Sequence, residues 1–247
     1  MTPLAADGPV IIPLAGGGPV IPTFGGSSCK NSATFCVGWF TSNWASLLQP
    51  ALVQHVYMTV IAVVIGLAIS LAAGLYAYRR GWFESGFIAF ATFVYTIPSL
   101  ALFLLFVPLT GLSLTTIEIG LVGYTFLLLF RNIVTGLHAT PPEATAAAEG
   151  MGMTPRQILL RVNLPLAIPS IMAGVRVATV TVIALAAIAA DVTSLGLGKP
   201  IFDAIQSGFT TELVAPSLLL IVLALVADTL LVLVQRAITP WARAARS

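Results

Sequence analysis

Residues 140–165 read TPPEATAAAEGMGMTPRQILLRVNLP and lie between two strongly apolar stretches of the chain. Two helix starts are legible inside them. Thr140-Pro141-Pro142-Glu143 has the spacing of a capping box, with Pro141 at the first helical position. The alanine-rich run after it favours helix. Gly150 and Gly152 interrupt that run, and Thr154-Pro155-Arg156-Gln157 repeats the start signal. Pro165 is expected to close the second helix. The stretch therefore predicts two short helices joined by a glycine hinge. Met151 and Met153 at the hinge offer adaptable apolar contact. Two capped helices in so short a connection suit a surface built to dock a partner; the plainer reading is a helical loop.

Outward from this loop the chain is overwhelmingly apolar. Of 247 residues, 58% are hydrophobic and 8% charged, and the net charge is +2. The mean hydropathy is +1.01. A soluble domain carries roughly 25% charged residues, so this composition excludes an ordinary cytosolic enzyme and a disordered tail. The small net charge supplies no basic field for nucleic acid. An integral, multi-pass membrane protein remains, surrounded by lipid. A helix crossing the hydrocarbon core needs about 20 apolar residues. Five such spans are predicted, running from about Leu52 to Tyr78, between Glu84 and Pro108, from Ile117 to Leu137, from Leu164 to Ala190, and from Leu213 to Gln235. The fold class is an all-α membrane protein.

Basic residues orient the spans. Arg79, Arg80, Arg131, Arg156, Arg161, Arg236, Arg243 and Arg246 fall on one side if the N-terminus is outside, against Lys30 and Lys199 on the other. The expected arrangement is N-terminus out and C-terminus in. Residues 1–50 then form an extracytoplasmic tail, which opens on the Pro/Gly theme GPVIIPLAGGGPVIP. Residues 51–238 form the transmembrane domain, with the loop 139–163 in the cytoplasm, and 239–247 are a cytoplasmic tail. Cys29 and Cys36, the two cysteines, would face the oxidising side and could close a disulfide there, or remain thiols.

Several chemistries lack their residues. No phosphate-binding Gly-Lys-Ser/Thr loop occurs, so ATP has no site in this chain. His55 and His138 flank no acidic ligand set that would make a metal site. No nucleophile elbow or Ser/His/Asp set emerges. These absences argue against an intramembrane enzyme and against a cofactor held by this chain.

The 140–165 run resembles the signature loop of permease subunits of ATP-binding-cassette importers. That pattern is Glu-Ala-Ala, three residues, Gly, nine residues, an aliphatic residue, any residue, then Leu-Pro. Ala147 and Ala148 match the alanines, Gly152 the glycine, and Val162-Asn163-Leu164-Pro165 the end. The glutamate position is taken by Ala146. Glu143 and Glu149 lie one helical turn to either side and could present a carboxylate there. Alternatively, a partner permease keeps the glutamate, or the alanine simply packs. The wider runs GMGMTPRQILLRVNLPLAIPSIMAGVR and TIPSLALF are similar to permeases of glycine betaine, carnitine and choline importers.

The resemblance implies a type I importer permease fold and a compatible-solute cargo: glycine betaine, choline, carnitine or a proline-like molecule. It implies a second permease, identical or homologous. It also implies two ATPase subunits, which bind ATP and Mg and dock on the signature loop, and an external solute-binding protein. An importer of another small solute such as an amino acid is the nearest alternative, and a stand-alone secondary transporter a more distant one. The resemblance places Tyr95-Thr96-Ile97-Pro98-Ser99 near the translocation path, with Pro98 bending the second span; a packing kink is the bland alternative. Gly196-Leu197-Gly198 keeps the end of the family's glycine-rich run, while Asp191, Thr193 and Leu195 depart from it.

Two charges fall deep inside spans, while Glu118, near the outer end of the third, reads as a solvated end residue. Arg176 lies about 16 Å beyond Pro165 along its helix, and Asp228 about 12 Å before Arg236. Their depths match, so they are expected to pair; a solute role for either, or separate hydration, are the alternatives.

Overall fold

A computed structural model describes residues 35–241. The Pro/Gly-rich opening segment, Cys29, Lys30, Arg243 and Arg246 lie outside the described residues. Within them the chain is all helical: α1 (Val37–Ala77), α2 (Gly81–Thr96), α3 (Ser99–Thr110), α4 (Leu114–His138), α5 (Pro142–Gly150), α6 (Pro155–Thr193), α7 (Gly198–Ser207) and α8 (Thr210–Ile238). Helices α1, α4, α6 and α8 are each long and apolar enough to cross a membrane, and α2 with α3 makes a bent pair that can supply a fifth crossing.

Helix α1 begins at Val37, so the first helix reaches well into the segment expected to be tail up to residue 50. It passes through a π-helical turn at Trp44–Leu48, just before Pro50, and α6 has a second at Leu159–Asn163, just before Pro165. The coincidence has a cause. Proline cannot donate to the carbonyl four residues back, and its ring crowds that carbonyl. Stepping the bonding to five residues relieves the crowding: the Gln49 N–H bonds to the Trp44 carbonyl, and the Leu164 N–H to the Leu159 carbonyl. Pro165 therefore does not close a helix. The second loop helix and the fourth span are one continuous element.

The second span is also not a kinked helix. Ile97 and Pro98 are both extended (ψ 130° and 134°), and α2 and α3 meet at 97°. The residue before a proline is pushed out of the helical region, so the helix ends at Thr96 and restarts at Ser99.

Helix α4 is the centre. Its Leu121, Leu129 and Ile133 are buried against Met58 and Ala62 of α1 and Ala178, Val182 and Ala186 of α6. Phe87 of α2 stacks near Phe130 of α4, ring centroids 4.3 Å apart. Helix α8 packs on α6 and α7 and is otherwise peripheral. Val53 and Val60 of α1, Leu105 of α3 and Leu225 of α8 point outward and exposed. Outward apolar side chains with internally bonded helices are what a lipid solvent demands.

Candidate functional site: the loop, the helix break and the intramembrane ion pair

The loop is built from its termini. Helix α5 starts at Pro142 with Pro141 as its N-cap, one residue later than the sequence suggests. Thr140 is then too far out to cap it, and its hydroxyl donates instead to the Leu137 carbonyl at the end of α4 (3.2 Å). No capping box forms there. At the other end α5 closes in a Schellman turn. The Met153 N–H bonds to the Ala148 carbonyl (3.1 Å) and the Gly152 N–H to the Glu149 carbonyl (2.9 Å). Gly152 stands at φ +74°, the left-handed region that turn requires, and a side chain there would meet open space. The glycine is thus required by backbone geometry, not by crowding at a hinge. At the start of α6 the expected capping box is complete. The Thr154 N–H donates to the Gln157 side chain (2.8 Å), and the Gln157 N–H to the Thr154 hydroxyl (3.4 Å).

Ala148 and Ile158 are buried where α5 lies against the start of α6. Glu143, Ala146, Ala147, Glu149, Gly150 and Gly152 are exposed, and so is Met151. Leu164 and Pro165 are half-buried within α6. Beneath the loop, polar side chains tie four helices together. Asn163 of the second π turn donates to the Tyr78 hydroxyl (2.7 Å) at the end of α1. The Tyr78 ring lies 5.4 Å from that of His138, and His138 Nε2 is 3.2 Å from Glu84 of α2.

At the α2–α3 break, Tyr95, Thr96 and Pro98 are exposed and Ser99 is half-buried. The Thr96 hydroxyl donates to the Phe93 carbonyl (2.7 Å), turned back on its own helix. The break frees backbone groups, and one is caught from outside: the Tyr124 hydroxyl of α4 donates to the Ile97 carbonyl. The Tyr95 and Tyr124 rings meet edge to face, centroids 5.7 Å apart. Sequence reading passed over Tyr124. The available signal was a lone tyrosine in an apolar span, whose hydroxyl must find a partner.

Arg176 and Asp228 are in direct contact. Nε donates to one carboxylate oxygen (2.7 Å) and Nη2 to the other (2.9 Å). About a third of each side chain stays exposed, 34% and 35%. Toward the loop, Gln235 donates to the Pro169 carbonyl (3.4 Å), a second tie between α8 and α6.

Two further residues gain roles. His55 is fully buried, with Nε2 3.0 Å from the Ile183 carbonyl, while Nδ1 accepts from the Leu197 N–H (3.4 Å). It joins α1, α6 and the Gly196-Leu197-Gly198 turn. Glu118 is not a solvated end residue: both carboxylate oxygens are buried without a hydrogen-bond partner among the described residues.

Residues 62–244 match the family described as the binding-protein-dependent transport system inner membrane component. The glycine betaine/carnitine/choline transport system permease protein OpuCB of Bacillus subtilis is 32% identical over 187 residues, covering 76% of this chain and 86% of that protein. The osmoprotectant import permease protein OsmW of Salmonella typhimurium is 34% identical over 201 residues, covering 79% and 94%. Among solved structures, an inward-facing MetNI methionine ABC transporter superimposes with a TM-score of 0.68 at 23% identity, over 75% of this chain and 93% of that one. With several apolar spans, an importer-permease fold and a family match over most of its length, this chain belongs to the inner membrane components of binding-protein-dependent transport systems.

Proposed function

We propose that the chain is the permease subunit of an ATP-binding-cassette importer for compatible solutes such as glycine betaine, choline, carnitine or a proline-like molecule. The cargo is suggested by what the related permeases are named for. The N-terminus lies outside and the docking loop in the cytoplasm. This orientation rests on the excess of arginine at the loop end of the helices. On the external side Cys29 and Cys36 close a disulfide.

The observation that carries the reading is the loop itself. Its exposed Met151 and small Ala146 and Ala147 form a shallow apolar surface flanked by Glu143 and Glu149, set at the root of the α6 span. Two separate ATPase subunits, which hold the ATP and Mg, seat on this surface in a pair of permeases, the second identical or homologous. A binding protein delivers solute at the opposite face. The permease converts closure of the ATPases into a rigid-body change of its helices. The test is uptake of labelled glycine betaine, carnitine, choline and proline by proteoliposomes holding the assembled importer, its binding protein and internal ATP. Uptake that needs ATP and one of these solutes is expected. Uptake of methionine alone would make the chain an amino-acid permease, and uptake without any ATPase would make it a stand-alone transporter.

A further inference from the structure

The Arg176–Asp228 pair is not sealed in the core, and the reason lies in what adjoins it. Residues four and eight positions beyond Arg176, and four, eight and eleven positions before Asp228, continue the same helical stripes. On α6 these are Val180 and Ala184; on α8 they are Ala224, Leu220 and Ser217. All five line a groove of about 360 Å³ that opens between the two helices on the side away from the loop. On the loop side the helices are tied by the ion pair and by Gln235 on Pro169. The pair lies one helical turn from Val180 and Ala224 at the near end of the groove, with a third of each side chain uncovered. Charged side chains at membrane depth face a bundle interior or a water-filled cavity, not lipid.

The guanidinium has two edges that can each hold a carboxylate. Asp228 occupies the Nε/Nη2 edge. Nη1 makes no hydrogen bond among the described residues, so the second edge is free. A lone arginine or aspartate would select an anion or a cation. A neutral pair with one free donor edge and one exposed carboxylate instead fits a molecule carrying both charges.

We propose that Arg176 and Asp228 form a transit site for a zwitterionic solute, whose carboxylate docks on the free edge of Arg176 while its cationic group faces Asp228. The inference rests on the importer reading above and adds the residues and the charge pattern that this chain contributes. Because Asp228 already satisfies Arg176, the solute is held only by the second edge and is released readily, as a conduit needs.

The test uses the assembled importer in proteoliposomes, with labelled glycine betaine as the zwitterion and choline as a cation lacking a carboxylate. Arg176→Lys keeps the charge pair but loses the second fork. It should leave the amount of complex unchanged and lower glycine betaine uptake about tenfold, the size of a lost charge-assisted hydrogen bond, with a smaller effect on choline. Arg176→Met with Asp228→Leu should assemble and yet fail to move glycine betaine. Wild-type rates per assembled complex in either variant, or equal losses for both solutes in Arg176→Lys, would reduce the pair to a structural bridge and overturn the proposal while leaving the importer reading intact. A wild-type importer that moves neither solute would overturn both.

Discussion

Gly66 of α1 lies so close to Thr125 of α4 that a Cβ on the glycine would fall 1.9 Å from the threonine hydroxyl oxygen. The two central helices meet backbone to side chain at this point. In a membrane, where helix association depends on close packing more than on water exclusion, such contacts set the fold. Gly66→Ala should destabilise the protein by about 1–3 kcal/mol, the usual cost of overpacking. Thr125→Ala in the same chain should recover part of it, because the nearest obstruction is the hydroxyl. Thermal unfolding of the purified complex checks both, and a neutral Gly66→Ala would show that α1 and α4 are not packed this way.

Gly152 carries a different constraint. Its positive φ costs an ordinary side chain about 1–2 kcal/mol, while asparagine tolerates it. Gly152→Asn should keep solute-stimulated ATPase activity, and Gly152→Val should lose it while the spans still insert. A valine variant with full stimulated activity would separate the Schellman turn from coupling.

How the sequence anticipated these sites varied with the range of the forces involved. The Thr154–Gln157 cap was legible because both of its bonds are local. The equivalent start at Thr140 misled because two consecutive prolines moved the helix start by one residue and left the hydroxyl nearer the α4 carbonyls. The Arg176–Asp228 pairing could be anticipated, since membrane depth is simple arithmetic along a helix. The break at Ile97–Pro98 was legible only as a bend, because its sharpness depends on Tyr124 holding the freed Ile97 carbonyl from another helix. The helix from Val37 to Leu48 was obscured by Pro50, whose usual effect the π turn cancels.

His55 accepts from the Leu197 N–H through Nδ1 and faces the Ile183 carbonyl with Nε2, a pattern that fits the neutral ring protonated on Nε2. His55→Ala leaves the Leu197 N–H without its partner in a buried site, while the Ile183 carbonyl keeps its own helical bond. An unpaired buried group costs about 1–3 kcal/mol. The melting temperature of the complex should fall clearly, and His55→Gln, which can both donate and accept, should restore part of the loss. Equal melting of the alanine and glutamine variants would mean that the histidine acts by volume alone.

Orientation is tested by single cysteines in a cysteine-free background. Arg156 at the start of α6 and Gln206 in α7 are both exposed. With the loop in the cytoplasm, a membrane-impermeant thiol reagent applied to intact cells should label Gln206→Cys and spare Arg156→Cys until the cells are opened. The reverse pattern would put the docking loop on the wrong side for an ATPase.

Helix α6 runs unbroken from Pro155 to Thr193, 39 residues, with its π turn near the loop end. At 1.5 Å per residue that is a rod of about 58 Å, nearly twice the roughly 30 Å hydrocarbon core. Its root sits under the loop and its tip beside the Gly196-Leu197-Gly198 turn. A rod gripped at one end multiplies angle into travel. Tilting it by about 5° sweeps the tip through about 5 Å, the width of a side chain. From the π turn onward the helix is unbroken, so a small torque at one face of the membrane arrives as leverage at the other.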